Sequence, residues 1–412
     1  MHSRPRLTIC PGTATYQRNL PLAAWRRGWD VQILRVTGHH GTYIIDDAGR
    51  EKRVRAFPML RATERAVWAA WRRVPLMCHS RWPQAALAKL VGDTLATNVR
   101  EPDVFHGLTT FSIASIERLQ RSGRAALIEH NVIHATDWQQ RTVQECETAG
   151  IHPRDSDAVF PAGIARRMLR EYELCDAVMV RSASAQLSFE SFGCRGKAVV
   201  VWAGVDPTKF FPATRRPGQF RVLFVGRLEL GKGIHYLLDA WKHFSLAGEL
   251  VLIGQVRHEA RLLLDRHPRS SIKVLGPVPL DRVADEMRTA SVFVMPSVND
   301  ALPRSILEAM SCGLPVVATD TSGAGDCVVN GVSGFIVPGR DPSALAESIG
   351  WLHRHPADSL AMGVAARETV LRNFTVRHYE DRQLAVYEAL LAGTKAAAIN
   401  VRSNMPTCEM KG

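Results

Sequence analysis

The sequence predicts an α/β protein made of two doubly wound domains, and three observations support this fold class. The chain has 412 residues, which is too long for one ordinary hydrophobic core. Short apolar runs alternate with helical patterns in both halves, as in parallel sheets whose strands are joined by helices. Between the halves, residues 202–219 (WAGVDPTKFFPATRRPGQ) collect turn formers and charges, which is typical of an interdomain linker.

The first half opens with a β-loop-α-β pattern and continues as alternating strands and helices. Residues 38–57 interrupt it with a predicted hairpin that turns at Asp47-Ala48-Gly49. The predicted strands are Arg6–Cys10, Val31–Val36, Pro102–Gly107, Ala125–His130, Ala177–Arg181 and Ala198–Val201. The predicted helices are Gln17–Arg27, Trp138–Thr148, Arg166–Leu174 and Ala183–Phe192.

A longer helical pattern runs from Leu60 to about Val91, and one of its faces interleaves arginines with Trp68. Such a face can lie at a membrane interface. It can equally be a solvated face whose tryptophan packs under a neighbouring loop. The sequence leaves both interpretations open.

The second half repeats the alternation with near-continuous apolar strands, the form expected when both faces of a sheet are covered. The predicted strands are Arg221–Val225, Leu250–Ile253, Ile272–Leu275, Val292–Met295 and Val316–Ala318. Helices are predicted at Pro342–His353, Ser359–Leu371 and Val376–Leu391. The chain thus divides into domains at 1–205 and 206–375, a final helix at 376–392, and a tail at 393–412 that we expect to be disordered.

Composition narrows the class of protein. The hydrophobic content of 46% and the charged content of 22% are those of a globular domain. The sequence has neither a transmembrane run nor a signal-peptide pattern. Its eight scattered cysteines favour reduced thiols in a cytoplasmic protein. Residues 1–100 hold 17 Lys and Arg against 6 Asp and Glu, so they carry most of the net charge of +12. This basic excess favours binding to phosphate groups, which nucleic acid, a bilayer surface or a lipid-linked acceptor could each supply.

One chemical motif lies at residues 297–319 (SVNDALPRSILEAMSCGLPVVAT), where Asp300 precedes and Glu308 lies within a helix predicted from Pro303 to Ser311. Proline suits the first turn of a helix, and Gly313 suits its C-terminal cap. The helix N-terminus offers free N–H groups to a phosphate. Two flanking acids therefore indicate a phosphorylated ligand that also carries hydroxyls.

A second motif lies at Arg221–Trp241 (RVLFVGRLELGKGIHYLLDAW), where glycines surround Arg227 and Lys232 between a strand and a helix. Glycines allow close backbone approach to a diphosphate, and the two cations neutralise its charge. The spacing differs from that of a Walker A loop. Together with the first motif, this loop predicts a diphosphate site.

These two motifs, the linker AGVDPTKFFP and the segment GVSGFIVP at 331–338 together resemble the retaining glycosyltransferases of family 4. The resemblance covers about residues 5–390 and implies a GT-B fold, in which two Rossmann-like domains face each other across a cleft. It implies transfer of a sugar from a UDP- or GDP-linked donor held mainly by the C-terminal domain. The acceptor, a glycan or a lipid-linked molecule, would lie against the N-terminal domain. The final helix would cross back to that domain.

The resemblance also implies a role for each matching residue. Arg227 and Lys232 would hold the donor diphosphate and stabilise the leaving nucleotide, and Glu308 would accept hydrogen bonds from the ribose. Asp300 and His130 would face the transferred sugar from opposite domains. The predicted phosphate contacts that remain are the backbone amides of Leu302 and Arg304 and the N-terminal loop at Gly12. The family needs neither a metal nor another cofactor.

The sequence departs from the family pattern at three places. The first acid is usually glutamate, and Asp300 is one methylene shorter. Pro303 stands where glycine is common, and the loop around Gly12 lacks the usual double glycine. A structural alternative for Asp300 is a helix N-cap.

The sequence thus predicts a retaining glycosyltransferase of cell-surface polysaccharide or glycolipid synthesis. We expect it in the cytoplasm, either free or peripheral on the inner face of the membrane. The rivals are a phosphorylase or epimerase on the same fold, a catalytically inactive nucleotide-sugar-binding protein and a basic nucleic-acid-binding protein. The last lacks a recognisable reading module, so we expect no nucleic-acid partner.

Overall fold

The computed structural model describes residues 4–10, 20–35, 41–46, 48–56, 82–156, 158–214, 218–243, 248–267 and 271–399. These residues form two sheets. Strands β1–β8 build the first sheet and β9–β14 the second. Gly12 and the stretch 57–81, which includes most of the predicted Leu60–Val91 helix, lie outside the described residues.

The first sheet has the order β4-β3-β2-β1-β5-β6-β7-β8. All neighbouring pairs are parallel except β2–β3 and β3–β4, which are antiparallel. The antiparallel edge is the hairpin that the sequence predicts at 38–57. The strands of the first sheet are β1 (Arg6–Ile9), β2 (Asp30–Arg35), β3 (Gly41–Ile45), β4 (Glu51–Ala56), β5 (Val104–Leu108), β6 (Ala125–Glu129), β7 (Ala177–Val180) and β8 (Ala198–Val200).

The second sheet is wholly parallel and has the order β11-β10-β9-β12-β13-β14. Strands β10, β12 and β13 are buried along their whole length and β9 along its middle, whereas the edge strand β11 is largely exposed. Its strands are β9 (Arg221–Val225), β10 (Glu249–Ile253), β11 (Ile272–Gly276), β12 (Val292–Met295), β13 (Val316–Thr319) and β14 (Gly334–Val337). The central apolar runs therefore reflect burial on both faces.

The helices cover the faces of the two sheets. In the first half they are α1 (Leu20–Arg26), α2 (Trp82–Asn98), α3 (Ile113–Gln120), α4 (Ala135–Thr148), α5 (Ala162–Leu174) and α6 (Ala183–Ser191). In the second half they are α7 (Ile234–His243), α8 (His258–Asp265), α9 (Leu280–Arg288), α10 (Arg304–Ser311), α11 (Pro342–Arg354), α12 (Pro356–Asn373) and α13 (Val376–Leu391). None of the helices that the structure describes combines the length and the apolar composition needed to cross a bilayer.

The last helix, α13, packs on the first sheet. Tyr379 and Tyr387 are fully buried, and the Tyr387 hydroxyl lies 2.7 Å from His106 Nδ1 on β5. Arg27, next to α1, forms ion pairs with Asp381 at 2.8 Å and Glu388 at 3.3 Å. The chain therefore returns to its N-terminal half after completing the second sheet.

Several elements differ from the sequence-based expectation. Helix α2 continues to Asn98 instead of ending near Val91. Helices α3, α8 and α9 and strand β14 were not among the predicted elements. The linker is packed against the protein, because Val205 and Phe210 are buried and Val205 bridges to Thr375.

The tail prediction is wrong for its first residues. Ala396–Ala398 form a 3₁₀ turn, and Ala396 is buried in the core. Ile399 also packs against the core, and the polar composition of the tail concealed this packing. Residues 400–412 lie outside the described part of the chain.

Candidate functional site

The candidate site lies at the point where the second sheet changes its winding direction. Strands β9 and β12 are neighbours, but β9 continues to β10 on one side and β12 continues to β13 on the other. Their C-terminal loops therefore diverge and leave a crevice, the position where open α/β sheets bind ligands. The loop at 226–233 carries the glycine motif, and the loop at 296–303 carries Asp300. The topology thus brings together two motifs that are about seventy residues apart.

Glycines allow the two loops to touch. Leu230–Lys232 form a 3₁₀ turn that ends at Gly233, which has a φ of 67°. A Cβ at Gly233 would lie 1.9 Å from the Pro296 carbonyl oxygen. The Val298 N–H donates to the Gly231 carbonyl at 3.1 Å. Residues with side chains do not fit this approach, and the approach sets Lys232 beside the second loop.

Lys232 and Asp300 form an ion pair inside the crevice. Asp300 is 6% exposed, and its Oδ2 also accepts a hydrogen bond from Ser297 Oγ at 3.3 Å. The N-cap of α10 is Pro303, so the structural alternative for Asp300 is not realised. The pair places a fixed negative and a fixed positive charge at one point of the crevice. Fixed charges of this kind can stabilise charge that develops in a transition state.

Arg227 lies near this pair and keeps its charge. Its Nη2 donates to Glu229 Oε1 at 2.9 Å, and 48% of its side chain is exposed. Burial of the guanidinium acts to lower its pKa, but the carboxylates of Glu229 and Asp300 outweigh burial and raise the pKa above its ordinary value. Arg227 is thus a cation that a ligand can reach.

Glu308 lies on the first turns of α10 and is almost fully buried. Burial raises the pKa of its carboxyl group, and the neighbouring Arg304 opposes this effect. Arg304 Nε donates to Glu308 Oε1 at 2.9 Å. Helix α10 begins at Arg304, one residue later than the predicted start at Pro303. Leu302 and Arg304 therefore flank the proline at the N-terminal end of the helix, where N–H groups have no intrahelical acceptor.

His130 follows β6 and is enclosed by its own domain. Nε2 lies 3.0 Å from the Ile133 carbonyl oxygen, and Nδ1 lies 3.2 Å from Thr109 Oγ1. The Tyr172 hydroxyl also lies 3.2 Å from Nε2. Burial lowers the pKa of His130 to about 4, so the ring is neutral near pH 7. The contact of His130 with a transferred sugar remains a prediction.

His106, in the middle of β5, belongs to a buried network that sequence reasoning missed. Its Nε2 lies 3.4 Å from Glu129 Oε2, and Glu129 also pairs with Arg181. Burial alone would raise the pKa of Glu129, but Arg181 and His106 bring it down to about 2. His106 thus has a structural role, because Tyr387 and Glu129 occupy its surroundings.

Helix α4 brings N-terminal residues to the crevice, which the sequence did not single out. Asn299 Nδ2 donates to Thr142 Oγ1 at 2.8 Å. Glu145 contacts His235, Tyr236 and Arg340 of the C-terminal domain. An acid on an amphipathic helix resembles a solvated charge in sequence, so no pattern identified Glu145.

Comparison with known protein families identifies part of the chain. Residues 219–355 match the family described as Glycosyl transferases group 1. Over 212 residues, 31% are identical to the amylovoran biosynthesis glycosyltransferase AmsK of Erwinia amylovora, covering 47% of this chain and 51% of that protein. Over 284 residues, 29% are identical to alpha-maltose-1-phosphate synthase of Mycolicibacterium smegmatis, covering 62% and 67%. The chain spans about half the length of AmsK and of the putative colanic acid glycosyltransferase WcaL of Salmonella typhimurium, 51% and 52%.

Solved structures with a similar fold cover almost the whole chain. Sucrose-phosphate synthase from Thermosynechococcus elongatus superimposes with a TM-score of 0.68 at 19% identity, covering 95% of this chain and 100% of that one. HepE from Anabaena, solved in complex with UDP and glucose, gives a TM-score of 0.62 at 16% identity, covering 94% and 100%. At these identities the likeness establishes the fold.

Proposed function

We propose that this chain, which has a GT-B fold, is a retaining, metal-independent glycosyltransferase of family 4. The match of residues 219–355 to the family described as Glycosyl transferases group 1 and the similarity of the fold to sucrose-phosphate synthase support this proposal. It transfers a hexose-type sugar from a UDP- or GDP-linked donor to a glycan or lipid-linked acceptor. The process it serves is the synthesis of a cell-surface polysaccharide or glycolipid, because its relatives include proteins named for amylovoran and colanic acid biosynthesis.

The observation that carries the proposal is the gathering of Lys232, Arg227 and Asp300 at the switch point of the second sheet. Lys232 and Arg227 bind the donor diphosphate and compensate the negative charge that develops on the leaving nucleotide. The N-terminal end of α10 adds the partial positive charge of its N–H groups. These groups supply the charge that a metal ion supplies in other transferases.

The carboxylates have separate tasks in this proposal. Glu308 accepts hydrogen bonds from the ribose hydroxyls, and Arg304 holds its carboxylate in place. Asp300, paired with Lys232, lies beside the diphosphate and faces the sugar near its reacting carbon. His130 faces the same sugar from the N-terminal domain as a neutral ring. Gly12 would complete the phosphate contacts.

The acceptor binds the N-terminal domain, whose first hundred residues carry the basic excess. We place the protein in the cytoplasm, peripherally attached to the inner face of the membrane. There the lipid-linked acceptor and the anionic headgroups are both within reach.

A two-step experiment tests the function. A panel of UDP- and GDP-sugars is first screened by thermal shift, because a donor that binds only the folded state raises its melting temperature. Release of the nucleotide by transfer is then measured for Lys232→Ala and Glu308→Ala, with Lys242→Ala on α7 as the control. We expect both site variants to lose transfer while remaining folded and the control to keep it. Near-normal turnover in either site variant contradicts the site, and donor binding without transfer in the wild type indicates an inactive sugar-nucleotide sensor.

A further inference from the structure

Helix α4 of the N-terminal domain lies directly against the loop that holds the donor phosphates in the proposed function. Thr142 accepts a hydrogen bond from Asn299 at 2.8 Å, and Arg141 Nη1 lies 3.4 Å from the Val298 carbonyl oxygen. A Cβ at Gly231 would lie 2.6 Å from Asn299 Oδ1. Residues 298–299 therefore pack between helix α4 and the phosphate loop at residues 226–233.

Glu145 adds to this packing a fully buried carboxylate, 0% exposed. Its Oε2 accepts hydrogen bonds from Tyr236 Oη at 2.9 Å and His235 Nε2 at 3.1 Å. Its Oε1 accepts from Arg340 Nε at 2.6 Å. All three donors belong to the opposite domain, so both oxygens of this N-terminal side chain are used by C-terminal residues.

Two of these hydrogen-bond donors, His235 and Tyr236, lie next to the phosphate loop, residues 226–233. His235 and Tyr236 form the first turn of α7, directly after Gly233 and three to four residues after Lys232. The turn bearing Lys232 therefore packs against the Pro296–Asn299 segment, and Glu145 holds the start of the helix that follows the turn. A shift of Glu145 would move the start of α7, and Lys232 would move with it.

Arg340 supplies a second observation. It is a non-glycine residue with a φ of 65°, a conformation that is strained in an L-residue. Its Nη2 also donates to Gln144 Oε1 at 3.0 Å. Strain of this kind persists where the surrounding contacts determine the conformation. The contacts of Arg340 with Glu145 and Gln144 are such contacts.

Stability alone does not require this arrangement. Removing a carboxylate from water costs several kcal/mol, and an apolar interface of similar volume is often as stable. Three directional hydrogen bonds to one carboxylate do what an apolar contact does not, because they specify a single orientation of one domain against the other.

We propose that Glu145 is a positioning residue that fixes the donor-phosphate loop from the opposite domain, through His235, Tyr236 and Arg340. This proposal rests on the proposed function, since it assigns Lys232 to the diphosphate. It makes the geometry of the phosphate site depend on the apposition of the two domains. Glu145 itself touches neither the donor nor the acceptor.

The test compares Glu145→Ala and Glu145→Gln with Glu147→Ala, an exposed acid on the same helix. Hydrogen exchange of residues 230–243 is measured without ligand, and the affinity for UDP and GDP is measured by calorimetry. We expect faster exchange confined to this segment in Glu145→Ala, because its packing is lost locally. We also expect nucleotide affinity to fall about tenfold, with the donor KM rising in parallel and the acceptor KM unchanged.

Glu145→Gln should recover much of the affinity, because its amide oxygen still accepts from Tyr236 and His235. Glu147→Ala should behave as the wild type in all measurements. If Glu145→Ala does not fold, Tyr236→Phe removes one of the three hydrogen bonds, and we expect nucleotide affinity to fall about threefold, the order of one lost hydrogen bond.

Unchanged exchange at 230–243 in a folded Glu145→Ala variant overturns the proposal. So does unchanged nucleotide affinity in Tyr236→Phe, or a fall in kcat of Glu145→Ala while nucleotide affinity stays at the wild-type value. A wild type that binds neither UDP nor GDP contradicts the proposed function instead. In that case the exchange measurement still decides whether Glu145 fixes this loop.

Discussion

Asp300 is one of the residues that depart from the pattern of the family that the sequence resembles, and the structure shows which groups hold this shorter acid. The Ser297 hydroxyl and Lys232 both donate to Oδ2, and the close packing of the two loops brings the lysine to it. In the proposed function, this carboxylate and the donor diphosphate would compete for the same ammonium group.

Asp300→Asn tests the two roles of this residue. We expect transfer to fall by about 10²–10³-fold, the order seen when one preorganised electrostatic group is removed. Binding of UDP or GDP should be retained or tighter, because Lys232 loses its competing carboxylate. Initial rates and calorimetry measure the two effects. A joint loss of nucleotide binding and transfer would mean that Asp300 only supports the loop. The control for the loss of a charge is Asp358→Asn, at an exposed acid on α12.

Single residues also show what sequence patterns reveal and what they conceal. The spacing, flanking glycines and helix boundary predicted that Arg227, Lys232, Asp300 and Glu308 belong to one site, and the structure pairs Lys232 with Asp300. Their role in binding a diphosphate stays a prediction. Glu145 was not predicted, because helical periodicity does not indicate which domain covers a given face. The enclosure of His130 by Tyr172 and Thr109 also arises from tertiary packing between distant segments.

At the scale of the element, Gly233 in the phosphate loop is required for two reasons, its positive φ and its close approach to Pro296. Gly331, outside the loop, shares only the first. Gly233 and Gly331 both have positive φ, 67° and 75°. A Cβ at Gly233 would also collide with Pro296, whereas a Cβ at Gly331 would meet nothing within 4 Å. The two positions therefore share the positive φ and differ only in whether an added Cβ collides with a neighbouring residue.

Gly233→Ala and Gly331→Ala separate strain from collision. Each substitution incurs the cost of a left-handed alanine, roughly 1–2 kcal/mol. Only Gly233→Ala must also push the loop away from residues 296–299, so we expect its affinity for UDP or GDP to fall about tenfold or more. Gly331→Ala should lower the melting temperature and leave affinity intact. Equal affinity in both variants would disprove the dependence of the site on close loop contact.

The strands whose bounds the sequence predicted agree with the structure to within one or two residues, because burial imposes continuous apolar runs on most of them. Strand β14 was not predicted. Helix boundaries were less predictable. Pro303 suits both the N-cap and the first helical position, and the structure places it at the N-cap. Helix α3 was missed because its eight residues mix polar and apolar side chains over barely two turns.

At the scale of the whole molecule, several polar contacts join the two domains away from the proposed donor site. Asp326 accepts hydrogen bonds from the Ala183 N–H at 2.8 Å and from Trp202 Nε1 at 2.6 Å. Helix α13 adds Tyr387 and the ion pairs of Arg27. The alternation of strands and helices predicted both sheets, but not these contacts, because they join segments more than a hundred residues apart.

The charge distribution of the molecule leads to the last prediction. The excess of +11 in residues 1–100 should attract the full-length protein to vesicles that contain anionic lipid, since each Lys or Arg near such a surface contributes about 1 kcal/mol. Flotation should show binding at low salt and its loss near 1 M NaCl, where the Debye length falls to about 3 Å. Neutral vesicles are the control. Binding that survives high salt would indicate apolar insertion, and absence of binding to anionic vesicles at low salt would remove the membrane from the proposal while leaving the donor site untouched.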